Sequence, residues 1–249
     1  MPAMEIENQI ALVTGANRGI GRSLVAELQR RGAAKVYAAA RRPETVDIPG
    51  AVPLRLDVTD DASVAEAAAV ATDVTLVINN AGVATLAKLV DGPEADIRLE
   101  METNYFGTLR MVRSFAPVLG ANGGGAILNV LSVMAWTAYE HSNGYSASKA
   151  AAWALTNGVR LELAGQGTQV TGLAMASVDT DMMAWADGIE KTDPAEIARL
   201  AVDGVEAGAM EVLGDENTRR WKARLGEDPA LLYPQLVGVR ANASAGSSR

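Results

Sequence analysis

The sequence predicts one α/β domain built on a doubly wound parallel sheet of six to seven strands, with helices on both faces. Three observations predict it. Short apolar runs alternate with helical stretches along the chain, which is the βαβ signature of a parallel sheet. Hydrophobic residues make up 49% of the chain but include only two Phe, so Ala, Val, Leu and Ile must build a core of strands buried on both faces. A chain of 249 residues is long enough for one well-buried core and does not require a second domain.

The first strand is Ile10–Thr14, too short and too β-branched for a helix. It runs into Gly15-Ala16-Asn17-Arg18-Gly19-Ile20-Gly21, and then into a stretch with Leu24, Val25 and Leu28 at helical spacing. Further strands are expected at Lys35–Ala40, 51–57, 75–80, 126–132 and Gln169–Ala174, with Glu211–Leu213 a weaker seventh candidate. Gly123-Gly124-Gly125 reads as a surface turn before the fifth strand. The domain is expected to span 1–240, and the Ala, Ser and Gly-rich segment 241–249 to be disordered. There is no internal repeat.

Composition excludes several classes of function. The net charge is −8, from 22 Lys and Arg against 30 Asp and Glu, which argues against a nucleic-acid-binding surface. The chain has no cysteine, hence no disulfide or thiolate ligand, and with a single histidine no metal site is expected. No apolar stretch reaches the ~18 residues of a membrane helix, and the N-terminus lacks a basic region followed by an apolar one. A soluble, cytoplasmic protein is the expectation.

Two segments carry candidate chemistry. A strand, a glycine-rich turn and a helix N-terminus form an anion site, because bare N–H groups and the helix dipole both favour a phosphate. Glycine is needed there where the chain turns sharply or a side chain would block a pyrophosphate. The spacing is G-x-x-x-G-x-G, not the general G-x-G-x-x-G. Farther on, Tyr145 and Lys149 stand four residues apart, and in a helix that spacing puts phenol and ammonium on one face. A phenol in water titrates near pH ~10, and an adjacent cation lowers that value toward useful acid/base chemistry. Each feature also has a plainer meaning alone: an ordinary turn, or a solvated helix pair.

Taken in order, Thr14-Gly15-x-x-x-Gly19-x-Gly21, Asn79-Asn80-Ala81-Gly82, Asn104, Ser132 and Tyr145-x-x-x-Lys149 resemble the short-chain dehydrogenase/reductase family over roughly residues 8–215. The resemblance implies a Rossmann-type fold and an oxidoreductase using a nicotinamide cofactor. It implies that Tyr145 exchanges a proton with the substrate oxygen and that Ser132 hydrogen-bonds that oxygen. Lys149 would hold the nicotinamide ribose and depress the phenol's pKa, and Asn104 would help hold a relay water. Gly15, Asn17, Gly19, Ile20 and Gly21 fall in the cofactor loop, Asp57 and Val58 at the adenine contact, and Asn79, Ala81 and Gly82 beside the nicotinamide ribose, with Asn80 more structural.

NAD sites of this topology carry an acid after the second strand to hold the ribose 2′-hydroxyl. Here that strand ends in Arg41-Arg42, with no acid until Glu44, and Arg18 adds a positive charge inside the glycine loop. A guanidinium binds a 2′-phosphate that a carboxylate would repel, so NADP(H) is expected.

The chain departs from the family after the sixth strand, where Met175-Ala176 stands in place of Pro-Gly, although Val178 and Thr180 fit the cofactor-contacting pattern. Either the loop keeps its course with a bulkier lining, or the pocket is reshaped. Met134, Trp136, Tyr139, His141, Met175, Met182 and Trp185 are expected to line the substrate site. An apolar, partly aromatic lining suits small hydrophobic ketones or aldehydes, as in an NADP-preferring carbonyl reductase. The alternatives are a β-ketoacyl reductase of fatty-acid or polyketide synthesis and a non-catalytic NADP-sensing protein. Family members are usually dimers or tetramers, with the helices at 106–119 and 145–163 forming one interface.

Overall fold

The computed structural model describes residues 4–236, so the expected tail at 241–249 lies outside the described residues. Seven parallel strands form one sheet in the order β3-β2-β1-β4-β5-β6-β7. They are β1 (Ile10–Thr14), β2 (Lys35–Ala40), β3 (Val52–Arg55), β4 (Leu76–Asn79), β5 (Ala126–Val130), β6 (Gln169–Ala174) and β7 (Glu211–Leu213). The weak seventh candidate is a strand because Gly172, Leu173 and Ala174 of β6 pair with it. β3 is the opposite edge, where Pro53 can sit without breaking a central ladder.

The connecting helices are α1 (Gly19–Arg30), α2 (Asp61–Val70), α3 (Glu94–Met101), α4 (Thr108–Ala121), α5 (Asn143–Glu162), α6 (Pro194–Glu206), α7 (Glu216–Ala223) and α8 (Pro229–Leu232). Side-chain alternation along β1 sorts the core into two layers. Ala11 and Val13 pack with Leu24 and Leu28 of α1 and Ile197 and Ala201 of α6. Leu12 points the other way, into Val64 of α2, Phe115 of α4 and Val159 of α5. Arg31 ties the first layer together through Glu27 (2.7 Å), Asp203 (2.6 Å) and Glu206 (2.5 Å).

Two features of this framework position the site. Strand order reverses between β1 and β4, opening a crevice at their carboxyl ends. In addition, α3 runs into α4 without a break through a π-helical turn at Glu102–Gly107, and Asn104 lies in that turn. Among the described residues, no helix is long and apolar enough to cross a membrane.

Candidate active site

The glycine loop is shaped for a ligand's phosphates. Gly15 (φ 63°) and Gly19 (φ 52°) lie in the left-handed region, and a β-carbon on Gly21 would strike the Gly15 carbonyl. Arg18, at the N-cap of α1, makes no side-chain cap, so the first N–H groups of that helix have no side-chain acceptor from it. The loop is braced from β4. Thr14 Oγ1 accepts from the amides of Asn80 and Ala81, both at 2.9 Å, and Asn80 Nδ2 donates to the carbonyls of Thr14 (2.9 Å) and Gly15 (3.2 Å). Asn80 is therefore a brace, as the motif implied. Asn79 is 5% exposed and gives its amide to Asn129 (2.8 Å), which reaches Thr156 of α5 (3.0 Å), so its side chain is committed to the core and not to the crevice.

Positive charge gathers at the far end of the crevice. Arg18, Arg41 and Arg42 are all exposed, and Arg18 makes one exposed ion pair with Asp181 (3.3 Å). Asn17 donates to Thr45 (3.1 Å) beside them. Burial pushes the Asp57 carboxyl up, but hydrogen bonds from Thr59 and the charges of Arg41 and Arg55 outweigh it and hold it below its usual range. Val58 is buried against Gly107. This bare glycine cradle, with guanidinium groups beyond it, fits a dinucleotide that carries an extra phosphate.

At the other end, α5 brings Tyr145 and Lys149 onto one face, and the loop after β5 brings Ser132 to them. The Lys149 ammonium is 5.6 Å from the centre of the Tyr145 ring, and it donates to the Val130 carbonyl at 2.9 Å. Gly82 closes the gap between β4 and this face, since a β-carbon there would lie 3.0 Å from Asn104 Oδ1 and 3.7 Å from Lys149 Nζ. Burial pushes the Tyr145 phenol up to about 12, with Ser132 hydrogen bonding opposing and the Glu100 charge adding to the rise. Burial also draws Lys149 down to about 8. The expected depression of the phenol by Lys149 is not found. Burial, which disfavours a phenolate, is the largest influence on this group, and Lys149 is not among the charges acting on it.

Asn104 is buried, and both of its amide hydrogens are used, by the Val83 carbonyl and by Ser148 Oγ at 2.9 Å each, while its Oδ1 accepts from the Val83 amide at 2.9 Å. Ser148, not anticipated from the sequence, donates onward to the Tyr145 carbonyl (2.8 Å) and locks α5 to the π turn. Its only signal was its place between Tyr145 and Lys149.

The residues expected around the substrate divide. Met182 (42% exposed), Trp185 (58%) and Tyr139 (44%) are open, and Met182 shares a cleft with Arg18, Gly82 and Asp181. His141 is exposed and Met134 partly buried. Trp136 lies beneath the Lys222 ammonium of α7, 4.5 Å from the ring centre. Met175 is a correction. It is 4% exposed and belongs to the core layer with Val178 and Ile197, not to a pocket. The chain leaves β6 without turning outward, because the Met175 carbonyl accepts from Val133 (2.9 Å) and the Ala176 amide is taken by Asp215 (2.7 Å). Val178, 4% exposed, bridges to Thr192. Thr180 instead reaches the crevice, with its methyl 3.2 Å from where a Gly19 β-carbon would stand.

Comparison with known proteins agrees with this geometry. The profile of a family described as short chain dehydrogenase matches residues 9–188. An NADPH-dependent 1-acyldihydroxyacetone phosphate reductase of Schizosaccharomyces pombe is 36% identical over 71% of this chain, and the match spans only 62% of that protein's length. An uncharacterized oxidoreductase of Staphylococcus haemolyticus is 31% identical over 78% of this chain and 89% of its own. A short chain dehydrogenase of Burkholderia cenocepacia, solved in complex with NADP, superimposes with a TM-score of 0.89 at 40% identity, covering 94% of this chain and 99% of that one.

Proposed function

The chain belongs to the short chain dehydrogenase family, and from that premise we propose that it is an NADPH-dependent carbonyl reductase converting small hydrophobic ketones or aldehydes to alcohols, reversibly. The observation that carries the reading is the convergence of Tyr145, Ser132 and Lys149 at the end of β5, with the Lys149 ammonium 5.6 Å from the centre of the Tyr145 ring. A phenol raised by burial is protonated at neutral pH and so has the proton that reduction requires.

In this reading the backbone of Gly15, Gly19, Ile20 and Gly21 holds the pyrophosphate, and Arg18, Arg41 and Arg42 hold the 2′-phosphate. Asn17 steadies that loop through Thr45. Asp57 and Val58 would border the adenine, Ala81 and Gly82 would leave room for the nicotinamide ribose that Lys149 binds, and Thr180 with the main chain of Val178, whose side chain is in the core, would flank the carboxamide. The bound cofactor supplies a hydride to the carbonyl carbon. Tyr145 gives its hydroxyl proton to the carbonyl oxygen as the C=O π bond opens. Ser132 hydrogen-bonds the same oxygen and stabilises its developing charge. Lys149 keeps a positive charge near the phenolate that results.

The NADP-bound Burkholderia structure and the NADPH-dependent fission yeast reductase support the choice of cofactor. Exposed Met182, Trp185 and Tyr139 support an apolar substrate. The helix faces carrying Phe106 (43% exposed) and Leu161 (80%) would pair two copies into a dimer or tetramer. The test is NADPH consumption across a panel of ketones, aldehydes and an acyl-thioester mimic. Turnover of hydrophobic ketones or aldehydes is expected. Activity on the thioester alone would assign a β-ketoacyl reductase, and NADPH binding without turnover of any compound would assign a sensor.

A further inference from the structure

Glu100 of α3 is 0% exposed, and the chemistry above gives it no role. Its Oε1 accepts from the amide (2.7 Å) and the hydroxyl (2.8 Å) of Thr85, in the loop after β4. Its Oε2 has no hydrogen-bond partner among the described residues and lies where a β-carbon on Gly144 would stand. Gly144 directly precedes Tyr145, and its amide donates to the Ala87 carbonyl at 3.1 Å. The β4 loop and the first turn of α5 thus meet around one carboxyl group. Between the two tethers Leu86 holds a left-handed backbone (φ 63°), which a branched residue keeps only where its surroundings enforce it.

A buried carboxyl with an orphaned oxygen is destabilising, and an asparagine or glutamine would bind Thr85 without the charge. Burial raises Glu100 above the usual carboxylate range, against the Thr85 hydrogen bonds, and Asp96 one turn earlier on α3 pushes the same way. The β4 loop offers it only neutral Thr85, no cation contributes among the described residues, and from α5 the titratable group it acts on is Tyr145. At the alkaline pH where the phenol titrates, the carboxyl is ionised.

We propose that Glu100 is a positioning residue for Tyr145: wedged between the β4 loop and Gly144, its carboxyl group fixes the main chain that carries the proton donor and adds a negative charge to the field that the phenol feels. The proposal rests on Tyr145 being that donor. A merely structural glutamate would hold the loop but leave the phenol's titration unmoved.

Two experiments test it, with NADPH fluorescence confirming that each variant folds and binds. In alcohol oxidation Tyr145 must first lose its proton, so the rate climbs with pH. Glu100→Gln keeps the shape and the acceptor for Thr85 but removes the charge, and the rising limb is expected to move to lower pH. A limb that stays in place or moves higher overturns the electrostatic part. Gly144→Ala puts a β-carbon against Oε2 and is expected to lower kcat roughly tenfold or more. Combining it with Glu100→Ser, whose side chain is shorter, should recover much of that loss. No loss, or no recovery, overturns the wedge, and this pair decides if Glu100→Gln does not fold. Tyr145→Phe is the control: if it stays active the donor assignment itself falls, whereas an inactive control with an unmoved Glu100→Gln limb and no loss in Gly144→Ala sinks this inference alone.

Discussion

The carboxylate of Asp215 accepts the Ala176 amide at 2.7 Å, and with the same group it accepts the Thr218 amide and hydroxyl at 2.8 Å each. One side chain therefore caps α7 and anchors the loop that leaves β6, at the place where Met175-Ala176 replaces the family's Pro-Gly. Proline would have fixed the backbone locally. Here a contact from 39 residues farther along the chain holds it instead. Asp215→Ala is expected to destabilise the fold by about 1–3 kcal/mol in urea unfolding, from the lost cap and the orphaned amide. It should also weaken NADPH binding, because the freed loop carries Val178 and Thr180. Unchanged stability and affinity would show that the loop holds itself.

Cofactor preference should follow the exposed guanidinium groups. The Arg18–Asp181 pair is exposed at both ends, so it is worth little and leaves Arg18 available to a phosphate. Arg41→Asp is expected to lower the ratio of kcat/KM for NADPH over NADH by roughly tenfold or more, since a charge-assisted contact is replaced by repulsion. A ratio that does not change would remove Arg41 from the 2′-phosphate site.

Acid stability should report the Arg31 cluster. Hydrogen bonding from Arg30, opposed by burial and reinforced by Arg31, holds the Glu27 carboxyl down at about 2 against its ordinary 4.5. A lowered folded-state value gives stability that is fully present above 4.5 and is lost as pH falls toward about 2. The stability difference between the wild type and Glu27→Gln, from urea melts, is therefore expected to be largest near neutrality and to shrink below pH 4.5. A difference that grows on acidification would contradict the ion-pair account.

Much of the fold and part of the site could be read from the sequence, because their signals are local. The strands, the glycine loop and the Tyr145–Lys149 pair are set by composition and by spacing within one element. What stayed hidden depends on contacts across the chain. Glu100 carries no mark in the sequence, because its burial comes from α3 packing against Thr85 and Gly144. Asp215 gave no sign of reaching Ala176. Met175 read as pocket lining because it stands where the family's Pro-Gly borders the site, whereas the continuing pairing beside β5 carries it into the core. Asn79 shares a motif with Asn80, but strand alternation sends its side chain inward to Asn129. The sequence also suggested that Lys149 would acidify the phenol, whereas burial, a property of the packed site, raises it.

The most direct measurement is single-turnover reduction of an accepted ketone by Tyr145→Phe, with NADPH affinity measured in parallel by fluorescence. The expected result is a cofactor Kd within a few-fold of the wild type and a rate lower by about 10²–10⁴-fold, the usual worth of a positioned proton donor. A rate near that of the wild type would show that the substrate oxygen takes its proton from elsewhere.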